Sequence, residues 1–218
     1  MNQKIVIAGG SGLVGKQAAD LLAHGGFEVH LVSRRPSAKL MPEIQEHVAP
    51  TADWAAIVAS IQPATAISCL GTTIRKAGSQ DAFRAVDHDL VLTFAEASHA
   101  AGAQHFITVS SVGAIPASGS FYLRTKAEME QRLRNIGFGR LDIMRPSLLT
   151  GGARNEQRPG EAIGILLAPI IDLLMFGSMQ KFASTPSDKV AKAIATLVRR
   201  HEDGIFIHEN ESINALAG

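Results

Sequence analysis

Short apolar runs alternate along the chain with stretches in which apolar residues recur at helical spacing. Residues 4–8 (KIVIA) form a β-branched run leading into glycines, and residues 13–23 carry apolar side chains at 14, 18, 21 and 22, one face of a helix. The pattern predicts strand, glycine turn, helix. Residues 28–33 (EVHLVS) and 64–70 (ATAISCL) read as further strands, with a weak strand near 47–49 and a helical stretch over 53–61 between them. Residues 81–101 form a long helix that Gly102 stops. A strand at 105–109 (HFITV), a helix at 121–136 and a strand at 141–145 (LDIMR) closed by Pro146 complete the series. Parallel neighbours need a crossover helix between them, so this alternation predicts an α/β fold, a doubly wound parallel sheet with helices on both faces.

A chain of 218 residues can bury one good core, and residues 1–218 are expected to form a single Rossmann-type domain in which 146–218 contribute a small substrate-side segment. The most apolar stretch, 162–176, is broken by Gly164, Pro169 and Asp172 and is too short to span a membrane. It wedges into the core, lines a pocket for an apolar compound, or forms a subunit contact, which leaves a homodimer open. The chain opens MNQKIVIAGG, without a signal-peptide core.

Charge narrows the partners. Lys+Arg number 21 against Asp+Glu 20, so no strong field gathers nucleic acid or an anionic membrane, and a small molecule fits better. The single cysteine, Cys69, excludes an internal disulfide and suits a reducing cytoplasm. At a strand end it reads as a small buried hydrophobe. Eight histidines show no HExxH arrangement, and no metal is expected.

GGSGLVG sets Gly9, Gly12 and Gly15 between the first strand and its helix. Glycine there permits a tight turn, close backbone approach to a pyrophosphate and helix–strand packing, while the free N–H groups of the helix face the phosphates. The second strand ends Val32-Ser33-Arg34-Arg35, with no carboxylate for ribose hydroxyls and two arginines suited to a 2′-phosphate. The expected cofactor is NADP(H). Asp53 serves either as a contact to adenine or as a helix N-cap.

The only tyrosine, Tyr122, is followed four residues later by Lys126. Positions 122, 126, 129, 133 and 136 form one stripe, so tyrosine and lysine share the buried face. An unpaired ammonium there is costly, and a purely structural lysine belongs with Glu128, Glu130, Arg132 and Arg134 on the wet side. Ser111 lies just past the strand ending at Val109, where loops at the carboxyl end of a parallel sheet face the ligand crevice. A phenol of ordinary pKa about 10 becomes a usable proton donor beside an ammonium and a cationic nicotinamide. Ser111 would orient the substrate oxygen, and Lys126 would also bond the nicotinamide ribose.

With GGSGLVG, the arginine pair, CLGTTIRKAGS at 69–79, FRAVDHDLV at 83–91, HFITVSS at 105–111, YLRTK at 122–126, MRPSLL at 144–149 and RPGE at 158–161, the chain resembles the short-chain dehydrogenase/reductase superfamily. Within it the similarity is to the atypical branch of Tat-interacting-protein-like oxidoreductases. The resemblance implies an NADP(H)-binding oxidoreductase with Ser11, Gly12, Leu13 and Val14 at the phosphates and Arg34 and Arg35 at the 2′-phosphate. It implies Leu70, Gly71, Leu149 and Arg158 along the cofactor. Where many relatives carry an asparagine that holds a proton-relay water, this chain has Asp87, whose alternative is a helix surface charge.

These readings lead to an NADP(H)-dependent reductase of a small apolar carbonyl substrate, with Tyr122 as general acid. Two other readings stand beside it: an NADP(H)-sensing regulatory or scaffold protein without turnover, and a nucleotide-sugar epimerase or dehydratase.

Overall fold

In a computed structural model, which describes residues 3–151 and 184–218, the apolar runs become strands because both of their faces are covered. In β1 (Lys4–Ala8), residues Ile5 to Ala8 are wholly buried, as a central parallel strand requires. The chain continues through α1 (Leu13–His24), β2 (Glu28–Ser33), β3 (Ile44–Val48), α2 (Trp54–Ile61) and β4 (Thr65–Ser68). Two short helices, α3 (Ile74–Ala77) and α4 (Gln80–Arg84), are capped by Thr73, which accepts from Lys76 N, and Ser79, which accepts from Ala82 N. A π-helical turn over Ala85–Asp89 joins α4 to α5 (Leu90–Ala100), so the long helix read from the sequence is continuous but locally widened and underwound. Then come β5 (His105–Val109), α6 (Phe121–Leu133), β6 (Arg140–Met144) and β7 (Leu149–Thr150). Beyond residue 183 lie β8 (Thr185–Pro186), α7 (Ser187–Leu197), β9 (Gly204–His208) and α8 (Asn210–Ala217).

Among the described residues seven strands pair in the order β3-β2-β1-β4-β5-β6-β9, every pair parallel. The expected doubly wound α/β sheet is therefore present. The chain runs outward from β1 to β3 and returns to β4 on the other side of β1, which makes the gap between β1 and β4 the topological switch point where ligands of such sheets bind. On one face α1 and α7 bury Val14, Leu22, Val190 and Ile194 against Ile5, Ile7 and Ile107. On the other, α2, α5 and α6 bury Val58, Phe94, Met129 and Leu133 against Val6, Phe106 and Ile143. Helix α7 lies along α1, and α8 along α7.

Two polar clusters sit within these layers. The Asp142 carboxylate, wholly buried, accepts from His105 Nε2 at 2.7 Å, His208 Nε2 at 2.7 Å and Arg140 Nε at 2.6 Å, which ties β5, β6 and β9 together. Burial alone would raise that carboxyl, but the bonds from His105, His208 and Arg140 outweigh it and hold it well below the usual carboxylate range. On β2 and β3, His30 Nδ1 and His47 Nε2 lie 3.1 Å apart, and His30 Nε2 meets Glu28 at 3.0 Å. Burial, and then the charge of His30, push His47 below its ordinary value. Among the described residues no helix is long and apolar enough to cross a membrane.

Candidate active site

The glycine turn closes at the switch point. Gly9 has φ +85°, and a Cβ there would lie 2.6 Å from the Cys69 carbonyl carbon; one on Gly15 would lie 2.3 Å from the Gly9 oxygen. Both positions therefore exclude larger residues, one where β1 passes the exit of β4, the other where α1 presses on the turn. Gly12 N-caps α1 without any side-chain cap, and Ser11 and Gly12 are exposed. The first-turn N–H groups of α1, which have no intrahelical acceptor, thus open at the carboxyl edge of the sheet. Leu13 is half-buried and Val14 and Gly15 are buried behind them. Leu70 and Gly71, which follow β4, border the same edge, and burial pushes the neighbouring Cys69 thiol up to about 12, so it is no thiolate nucleophile.

Arg34 and Arg35 are both exposed just beyond β2, and among the described residues neither guanidinium has an ion pair or hydrogen bond. Asp53 occupies the N-cap position of α2, but its side chain makes no capping bond, contrary to the simple cap reading. Leu149 is half-buried in β7. Arg158 and the apolar stretch 162–176 lie outside the described residues.

Helix α6 carries the tyrosine and lysine. Tyr122 is half-buried with its ring 5.4 Å from that of Phe83. Lys126 is 3% exposed, and its Nζ lies 2.8 Å from Asp87 Oδ1. Asp87, 1% exposed, accepts the Thr72 backbone N–H at 2.8 Å through its other oxygen. The carboxylate is thus no helix surface charge: it is the partner that permits a buried ammonium, and it joins α6 to the loop that follows β4. Helical spacing held the signal, since Phe83, Asp87, Val91 and Phe94 share one buried stripe.

Sequence reasoning also misplaced Glu130. It is buried at 2% exposure, one turn beyond Lys126 on the same face, because Arg145 donates to it from Nε at 3.0 Å and from Nη2 at 2.5 Å. Ser110 Oγ donates to Glu130 as well, at 2.5 Å, and Arg145 reaches the Ala114 carbonyl at 3.1 Å. The hydrogen bond to Glu130, working against burial, pushes the Arg145 guanidinium above its ordinary value. This group pins residues 110–114 to α6 and to the end of β6. Ser111, within that pinned loop, is half-buried and bonds only weakly to the Val112 carbonyl at 3.3 Å among the described residues. Its hydroxyl retains capacity for a ligand.

The arrangement joins a glycine turn with open helix N–H groups to a phenol and a charged lysine at the same edge of a parallel sheet. Comparison with known proteins places the fold that carries this combination. Residues 5–172 match the model of the NAD dependent epimerase/dehydratase family. The protein fmp52, mitochondrial, of Emericella nidulans is 33% identical over 201 residues, covering 87% of this chain and 84% of that protein. Protein HTATIP2 of Rattus norvegicus is 47% identical over 93 residues, 43% of this chain and 38% of that protein. Among solved structures, a UDP-glucose 4-epimerase with UDP-glucose from Thermotoga maritima superposes with a TM-score of 0.74 at 17% identity, over 95% of this chain and 77% of that one. The Bordetella bronchiseptica enzyme WbmH in complex with NAD+ gives 0.71 at 14% identity, over 95% and 75%. The word mitochondrial in the names of the fungal relatives overturns the cytoplasmic assignment. One buried thiol distinguishes no reducing compartment from another, so cysteine use could not have carried that assignment. The expected resemblance to the short-chain dehydrogenase/reductase group holds, and the chain belongs to the NAD dependent epimerase/dehydratase family.

Proposed function

We propose that the protein is an NADP(H)-dependent oxidoreductase that reduces a small apolar carbonyl compound, with Tyr122 as general acid. The observation that carries this reading is the tie from Lys126 through Asp87 to the Thr72 backbone, which fixes the proton-transfer helix against the cofactor-side loop. The close approaches at Gly9 and Gly15 fit a bound pyrophosphate, held by the α1 N–H groups with Ser11, Gly12, Leu13 and Val14 around it. Leu70, Gly71 and Leu149, with Arg158, would flank the rest of the cofactor, and Arg34 and Arg35 would take the 2′-phosphate. When bound there, NADPH would be the source of the hydride that the carbonyl carbon takes up. Ser111 donates a hydrogen bond to the carbonyl oxygen and orients it, and the Tyr122 hydroxyl gives that oxygen its proton. Lys126, one turn along the same face of α6, stabilises the phenolate charge left behind.

The sugar nucleotide named with the Thermotoga maritima structure does not carry over, since likeness at 17% identity is likeness of fold. The test is a screen of aldehydes and ketones by NADPH oxidation, followed by Tyr122→Phe on any substrate found. Removing only the phenol oxygen should abolish turnover while leaving NADPH affinity nearly unchanged. Wild-type turnover in that variant would overturn the assignment of Tyr122 and leave a cofactor-sensing protein as the better reading.

A further inference from the structure

The loop after β2 is built around one carboxylate from the neighbouring strand. Glu46, on β3, accepts from Ser33 Oγ at 3.0 Å, from Ser37 Oγ at 2.6 Å and from the Ser37 backbone N–H at 3.1 Å, which is shared between its two oxygens. The Ser33 hydroxyl lies equally close, 3.0 Å, to the Arg35 carbonyl. Both ends of the segment 33–37 are therefore drawn onto a single anchor, and the Arg35 carbonyl at its middle lies within reach of the Ser33 hydroxyl. The two arginines inside the segment point elsewhere: both are exposed, and neither guanidinium is neutralised among the described residues, although the Glu46 carboxylate anchors the loop that carries them. Glu46 spends its acceptor capacity on two hydroxyls and an amide. A carboxylate placed to repel a phosphate would stand free, and one placed to quench the arginines would touch them. This one does neither.

We infer that Glu46 is a positioning residue for cofactor choice: it pre-shapes the 33–37 loop so that Arg34 and Arg35 present their guanidiniums to a ribose 2′-phosphate. The inference rests on the NADP(H) reading above. A loop already held in its binding shape loses little ordering entropy when the phosphate arrives, and that saving goes to NADPH alone because NADH has no group there. Charge-assisted pairing with the two arginines then supplies the discrimination.

The test compares NADPH and NADH affinities, read by cofactor fluorescence, for the wild-type chain and for Glu46→Ala, Glu46→Gln and Ser37→Ala. Glu46→Ala should weaken NADPH by about tenfold, the size of a modest loop-ordering cost, and leave NADH within about twofold, the spread expected where no contact is lost. Glu46→Gln and Ser37→Ala, which each keep part of the anchor, should lose less preference in the same direction. NADH affinity serves as the internal control for folding, and Ser37→Ala carries the test if Glu46→Ala fails to fold. A wild-type protein without preference for NADPH would overturn the NADP(H) reading and this inference with it. Preference in the wild type that survives unchanged in all three variants would overturn this inference alone, as would stronger NADPH binding in Glu46→Gln, which would mean that the carboxylate opposes the phosphate.

Discussion

Replacing Asp87 by alanine strips the only carboxylate among the described residues that pairs with an ammonium 3% exposed. The attraction across 2.8 Å is roughly 6 kcal/mol at an effective dielectric of about 20, opposed by several kcal/mol of desolvation for each ion. The net worth of the intact pair is therefore small, but the cost of breaking it is not, because the lysine remains buried without its partner. Loss of one partner from such a pair costs about 3–5 kcal/mol, and in a chain of this size each kcal/mol moves the melting temperature by about 2–4 °C. Asp87→Ala should thus melt roughly 6–20 °C below the wild type. Asp87→Asn, which can still accept from Thr72 N–H, should fall between the two. The double variant Asp87→Ala/Lys126→Met removes both charges and should recover much of the loss, with the coupling read from the full cycle. Circular dichroism during thermal and urea unfolding measures all of this without substrate or cofactor. A loss below about 1 kcal/mol for Asp87→Ala, the worth of a solvent-exposed pair, would refute the claim that a buried carboxylate is what lets Lys126 occupy the inner face of α6.

Two further outcomes follow from the geometry. His47 has its pKa lowered by burial and by His30, so the unfolded chain takes up a proton near pH 6.5 that the folded chain resists. Stability is then full above about pH 6.5 and falls as the pH drops below it; urea midpoints at pH 7.5 and 5.5 should show the drop, and His47→Gln should flatten it, whereas an unchanged slope would contradict the cause. Gly15→Ala forces a methyl group to 2.3 Å from the Gly9 oxygen and should cost about 1–3 kcal/mol together with NADPH affinity; calorimetry showing both unaltered would mean that α1 does not press on the turn.

Much of the molecule is legible in order along the chain. β1, β2 and β5 follow their apolar runs to the residue, because each is short and inward-facing on both sides, and each is followed by a polar or glycine position. β3 begins three residues earlier than expected, at Ile44, since only that residue of IQEHV is buried and the strand is defined by its pairing with β2. The elements at 187–197, 204–208 and 210–217 find no place in the sequence reading. β9 in particular turns Ile205 and Ile207 outward, at 46% and 41% exposure, and its contribution to the sheet depends on pairing with β6. In the candidate site, the residues proposed to serve the chemistry are local and readable: the glycine turn, Ser111, Tyr122 and Lys126. Their supports are not, because Asp87 with Lys126, Glu130 with Arg145, and Glu46 with Ser37 each meet across elements, and a charged residue in isolation reads as a surface residue.

The outward isoleucines of β9 give the Asp142 cluster a further significance. In most half-buried strands the apolar set selects the register, since a slip of one residue would turn it into water. In GIFIH the opposite holds: a slip of one residue would carry Ile205 and Ile207 onto the inner face in place of Phe206 and His208, so greasiness alone would reward the wrong alignment. That slip would also withdraw His208 from a carboxylate that is 0% exposed and leave a buried acceptor short of a donor, which costs more than the apolar exchange returns. The last strand of the sheet is thus aligned by a proton-bearing ring finding its oxygen, and specificity at this edge is polar where the rest of the sheet is specified by its oil.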